Sequence, residues 1–221
     1  MPQAWLLGPF VIKVDLVFML VSFVLGFLFF YGVSPYEKGK RRGLLDRVSN
    51  ILITLVVSIW IGKVVLQWST FLSDPIAILA YPANTNAFYI AIIITILFSK
   101  WRWISTINQY YDHLYVFNTV FLAASFIYSF LHHIFYQTNW LYLIGLLLLL
   151  FFIIYYSDKK SPITISNTTL IGWGLLQTVI QTTIFQFSPH VIFYMLLVMI
   201  GVLQGYIYYR NGGICDEKMD H

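Results

Sequence analysis

Seven apolar stretches follow one another between Val11 and Tyr209 and dictate what the chain can become. They fall at residues 11–33, 49–68, 86–99, 114–131, 140–156, 169–185 and 190–209. A membrane-crossing helix needs about 20 mostly apolar residues. Between the stretches the polar segments are short. Of 221 residues, 59% are hydrophobic and 10% charged, against about a quarter charged in a soluble domain. The expected fold is an all-α integral membrane protein with seven transmembrane helices. It forms one domain over residues 1–221, with an interfacial arm at 1–10 and a polar tail at 211–221.

The charges set the expected orientation. Lys38, Lys40, Arg41, Arg42 and Arg47 follow the first stretch, Lys100 and Arg102 the third, Lys159 and Lys160 the fifth, and Arg210 the seventh. The segments after the second, fourth and sixth stretches hold no Lys or Arg. Basic residues stay on the cytoplasmic side, so the N-terminus is expected outside and the C-terminus in the cytoplasm. The net charge of +4 thus reads as a topology signal and not as a nucleic-acid surface. The basic cluster follows the first apolar run instead of preceding it, unlike a cleavable leader, and Trp5 suits the headgroup level. Cys215 is the only cysteine, so the chain forms no internal disulfide.

Few residues offer chemistry. Lys63 lies in the second stretch, about five residues or 7 Å from its outer end. It either snorkels to the headgroups or contacts a lipid phosphate within a cavity. Lys13 and Asp15 open the first stretch, and Asp15 is expected to pair with Lys63 or Lys13, since intramembrane charges usually pair. Gln177 and Gln181 share one face of the sixth helix, as interhelical hydrogen-bonding groups or as cavity lining. Asn84, Asn86 and Tyr89 open the third helix and could line a polar vestibule. His132, His133 and His190 read as interfacial residues and not as metal ligands, because adjacent histidines on a helix point about 100° apart. Asp112 and His113 read as a solvated helix start. No hydrolase, metalloprotease or phosphate-loop motif is present, and no metal or cofactor is expected.

Three segments carry a resemblance: Leu7-Gly8-Pro9-Phe10-Val11-Ile12-Lys13, the basic loop Lys40-Arg41-Arg42-Gly43-Leu44, and Gln67-Trp68 through Asp74-Pro75-Ile76-Ala77-Ile78-Leu79-Ala80. Fainter echoes lie at Asp112, Leu141-Tyr142, Gly174-Leu175 and Gly201. The chain resembles the prolipoprotein diacylglyceryl transferases, seven-helix bacterial enzymes that move diacylglyceryl from phosphatidylglycerol to a lipoprotein cysteine. The resemblance implies a bacterial cytoplasmic membrane location, phosphatidylglycerol as the lipid, and a lipoprotein precursor or another membrane protein as partner. By position Lys63, Lys13 and Asp15 are expected to line one outward-facing, lipid-accessible pocket with Lys63 as its main cation, and Asn84, Gln177, Gln181 and Tyr142 are the further candidate lipid-binding residues.

The family's charged residues are replaced. Its third-helix histidine falls on Tyr89, its fourth-helix arginine and asparagine on Phe126 and Ser129, and its second-helix arginine near Trp60. Its fifth-helix glutamate falls on Leu143, and its sixth-helix arginine and glutamate on Gln177 and Gln181. A thiol needs a base or a positive field to become a nucleophile, and neither Tyr89 nor Gln181 supplies one readily. The expected function is lipid or partner binding through a degenerate, non-catalytic or altered site. The alternatives are an active lipid transferase using Lys63, Lys13 or Tyr89, and a small-solute transporter.

Overall fold

The structure, a computed structural model, describes residues 4–7, 10–74, 85–102, 106–136, 140–184 and 189–210. Asn84, Cys215 and the expected tail 211–221 lie outside the described residues, as do the side chains of Lys13, Gln181 and His190.

Apart from one short ribbon, the regular structure is helical. Strand β1 (Ala4–Leu7) pairs antiparallel with β2 (Phe10–Lys13), placing Ala4 opposite Lys13 and Leu7 opposite Phe10. Because residues 10–13 belong to the ribbon, helix α1 (Val14–Val33) starts three residues later than its apolar run. Then come α2 (Lys38–Leu66), the short α3 (Trp68–Ser73), α4 (Thr85–Arg102), α5 (Ile107–Tyr136), α6 (Trp140–Tyr156), α7 (Pro162–Ile184) and α8 (Pro189–Arg210).

Several ends differ from the apolar runs, with physical reasons. Helix α2 begins at Lys38 and not at Ser49, because Lys, Arg and Leu are good helix formers whether or not the environment is lipid. Helix α7 begins at Pro162, where a missing N–H costs nothing in the first turn. There the Ser161 carbonyl accepts the first helical bond from Ile165 N at 3.2 Å. The segment after α2 holds a helix, α3, where a loop was expected.

Four described helices, α1, α2, α5 and α8, are long and apolar enough to cross a membrane. Helix α6 is apolar throughout but has 17 residues. Helices α4 and α7 carry Thr, Ser, Asn and Gln among their apolar residues. Leu16, Leu20, Val24 and Leu28 make an exposed stripe at every fourth position of α1. On α8, Ile192, Met199, Val202, Leu203 and Tyr206 are more than half exposed. Such apolar outer faces would be a liability in water. They are those of a multi-pass membrane protein.

The chain divides into two compact units, residues 38–113 and residues 1–37 with 114–221. In the first, α2 packs on α4 through small residues, which let membrane helices approach closely. Ser58 and Gly62 are buried on α2, and Ala87, Ala91, Thr95 and Ser99 at every fourth position of α4. A Cβ on Gly62 would lie 2.7 Å from the Ala87 carbonyl oxygen. Contact between the end of α2 and the start of α4, with burial along all of α4, makes the pair antiparallel. Lys40 Nζ lies 2.9 Å from Asp112 Oδ2, tying the start of α2 to the first turns of α5. Asp112 is thus ion-paired, and His113 is buried with Nδ1 hydrogen-bonded to the Gln109 carbonyl, where a solvated helix start was expected.

In the other unit, α5 is buried nearly all round between Tyr115 and Ala124, as a helix in a bundle core should be. Gly26 of α1 meets its backbone, with a Cβ position 2.7 Å from the Val120 carbonyl oxygen. Helix α7 packs against both α6 and α8. Gly174 and Gly201 lie at the α7–α8 contact against Val198 and Ile171. Asn118 Nδ2 of α5 donates to the Ser166 carbonyl of α7 at 3.1 Å, satisfying a polar group that lipid could not.

Candidate functional site

The expected lipid-binding residues fall in both units. In the unit that contains α6, α7 and α8, the structure brings Tyr142 and Gln177 into direct contact. Gln177 Nε2 donates to the Tyr142 hydroxyl at 2.8 Å. Trp173, one turn before Gln177, has a buried indole Nε1 that makes no hydrogen bond. The Trp173 ring meets Phe121 edge-on at 5.1 Å and Tyr194 at 5.5 Å. An amide and a phenol therefore meet here, and Trp173, with its unsatisfied indole N–H, is one turn away on α7 among apolar rings. All are neutral: they can orient a polar group by hydrogen bonding, but none is a ready base.

On the exposed side of α7 and α8 runs a shallow apolar groove of about 250 Å³, lined by Leu175, Thr178, Met195, Val198, Met199 and Val202. Methionine lets such a surface adapt to different apolar shapes.

Asp15 belongs to the same unit and has a partner that the sequence reading missed. His132 Nε2 donates to Asp15 Oδ1 at 3.1 Å. The His132 ring is flanked by Tyr128 at 4.8 Å and Tyr136 at 4.9 Å, one turn to either side on α5. Phe18 of α1 meets it edge-on at 6.2 Å. The signal was the repeat Tyr128, His132, Tyr136 at four-residue spacing, together with an expected topology that puts the start of the first span and the end of the fourth on one face.

Lys63 and Tyr89 lie in the other unit, both partly exposed. Lys63 follows Gly62 in the last turn of α2, and Tyr89 lies two residues beyond Ala87 on α4. With Gly62 against Ala87 and the helices antiparallel, Lys63 is level with Asn86, and Tyr89 with Trp60. Tyr89 packs beside Phe88, the ring centres 6.4 Å apart. Phe126 stacks on Phe130, the ring centres 6.1 Å apart. Among the described residues no group of three or more His, Cys, Asp or Glu could hold a metal ion.

Comparison with protein-family models, with curated proteins and with solved structures gives no match.

Proposed function

We propose that the chain is a seven-span protein of the bacterial cytoplasmic membrane with the architecture of the prolipoprotein diacylglyceryl transferases, and that it holds a phospholipid without transferring its diacylglyceryl group. Helices α4, α6 and α7 complete the spans with α1, α2, α5 and α8. The N-terminus is outside and the basic segments are cytoplasmic. Phosphatidylglycerol is the lipid, with a lipoprotein precursor or another membrane protein as partner.

One observation carries the non-catalytic half of this reading. On the position where the resemblance puts an arginine, Gln177 is hydrogen-bonded to Tyr142 within a neutral cluster. That arrangement is stable without a charge and has none to offer a phosphate or a thiol. Hydroxyl and amide groups suit the glycerol hydroxyls and ester carbonyls of a lipid. The groove on α7 and α8 offers an apolar surface nearby.

A catalytic reading rests on Lys63 and Tyr89 lying within about a turn of each other along the antiparallel α2–α4 pair. There an amine and a phenol could replace the family's arginine and histidine. Lipid extraction from purified protein tests the binding half: phosphatidylglycerol should copurify, and its loss in Tyr142→Phe and Gln177→Leu variants that remain folded would argue for this cluster as its site. Protein that copurifies no phospholipid contradicts the reading.

A further inference from the structure

The α2–α4 pair has a second end, away from Lys63. Fifteen residues on from Ala87 along α4 is Arg102, and fifteen residues back from Gly62 along α2 is Arg47. At about 1.5 Å per residue these positions lie level in the antiparallel pair, about 22 Å from the Gly62–Ala87 contact. Lys100 and Trp101 share that level. Lys38 and Arg42 lie on the first turns of α2, beyond Arg47. Arg47, Lys100 and Arg102 are all exposed, and Trp101 is 81% exposed.

Charge is strongly unbalanced here. Seven lysines and arginines at this end of the unit stand against two aspartates, Asp46 and Asp112. Asp112 is already bridged to Lys40, and α4 has no acidic residue. From Arg47 onward α2 turns apolar, as α4 does before Ser99. The cations therefore sit where an apolar helix pair emerges from lipid, at the level of the phosphates of one leaflet. An exposed tryptophan among them is what that level favours.

We infer that this end of the pair, with Arg47, Lys100, Arg102 and Trp101 at its centre, is a docking surface for anionic phospholipid headgroups. It lies about 24 Å along α2 from Lys63 and is independent of the lipid reading given above. Recognition is by charge: each basic side chain near an anionic leaflet contributes about a five-fold gain in association. Because the groups are exposed, the effect is screened as the Debye length shrinks from about 10 Å at 0.1 M salt to about 3 Å at 1 M.

The test uses the full chain in nanodiscs of phosphatidylcholine with a minority of phosphatidylglycerol. The ratio of the two lipids that remain with the protein after detergent washing is compared with the ratio supplied. The parent protein should enrich phosphatidylglycerol, and R47Q/K100Q/R102Q should lose at least five-fold of that enrichment, the worth of one such cation. R47K/R102K, which keeps the charge, should match the parent. K159Q/K160Q/R210Q removes as many cations elsewhere and should retain it. The inference is overturned if the first triple variant enriches phosphatidylglycerol as the parent does, or if the second loses as much. It is overturned without any variant if the parent's enrichment is the same at 0.1 M and 1 M salt.

Discussion

The amide of Gln177 is hydrogen-bonded across the α6–α7 contact to the hydroxyl of Tyr142, at 2.8 Å. The bond joins two helices and occupies the polar group that a bound lipid would have to meet. Structural and binding roles are thus coupled at one pair. Gln177→Leu and Tyr142→Phe should each cost about 0.6 kcal/mol, the mean for hydrogen bonds between membrane helices. The double variant should cost little more than either single one, since both remove the same bond. Thermal unfolding in detergent measures all three. Fully additive losses would show that the two residues act through different partners.

Backbone approach gives a sharper contrast. A Cβ on Gly62 meets the Ala87 carbonyl oxygen at 2.7 Å, whereas one on Gly145 meets the flexible end of the Leu176 side chain. Gly62→Ala must move two helices apart and should cost about 1–3 kcal/mol or more. Gly145→Ala lets a side chain give way and should cost less. Melting temperatures of the two variants compare them directly, and the reverse order would contradict the packing.

How much of this was legible in the sequence depends on what each feature needs. The apolar centres of the helices were legible because burial in lipid requires an unbroken run of such residues. Helix ends were not: Lys38–Arg47 is mostly polar, but it holds no proline and its two glycines, Gly39 and Gly43, are only weak breakers, so α2 extends through it. Gln177 was singled out, but Tyr142 as its partner depends on how α6 faces α7. For Asp15, two lysines were the expected partners by charge alone. The observed one, His132, is 117 residues away and neutral in a simple count of charge.

The Asp15–His132 pair should matter little for stability. Asp15 is 57% exposed, and exposed ion pairs contribute about 0–1 kcal/mol. Asp15→Asn should therefore melt within a few degrees of the parent. His132→Ala should lose more than His132→Phe, because Tyr128 and Tyr136 pack on the ring and aromatic pairs contribute about 0.5–1.5 kcal/mol. Equal losses from Ala and Phe would show that the ring contacts carry nothing.

Topology has its own test. With Cys215→Ser as background, a cysteine at position 73 should react with an impermeant thiol reagent in intact cells, and one at position 40 only after lysis. Labelling of position 40 but not 73 in intact cells would reverse the proposed orientation.

Lys63 separates a headgroup ligand from a snorkelling side chain. A central lysine costs about 2.5–3.5 kcal/mol to insert, less near the interface. If it holds an anionic headgroup, Lys63→Leu should lower phosphatidylglycerol retention and Lys63→Arg should preserve most of it. Retention unchanged in Lys63→Leu, with some gain in stability, would leave snorkelling as the sufficient account.

Lipid bound without transfer is the central claim, and one measurement reaches it most directly. Purified protein is incubated with phosphatidylglycerol labelled in its diacylglyceryl part and with a lipoprotein-signal peptide bearing the acceptor cysteine. The account predicts label retained by the protein and none on the peptide at any time. Label on the peptide cysteine at a rate near that of an authentic diacylglyceryl transferase, and its loss in a Lys63→Leu or Tyr89→Phe variant, would contradict it.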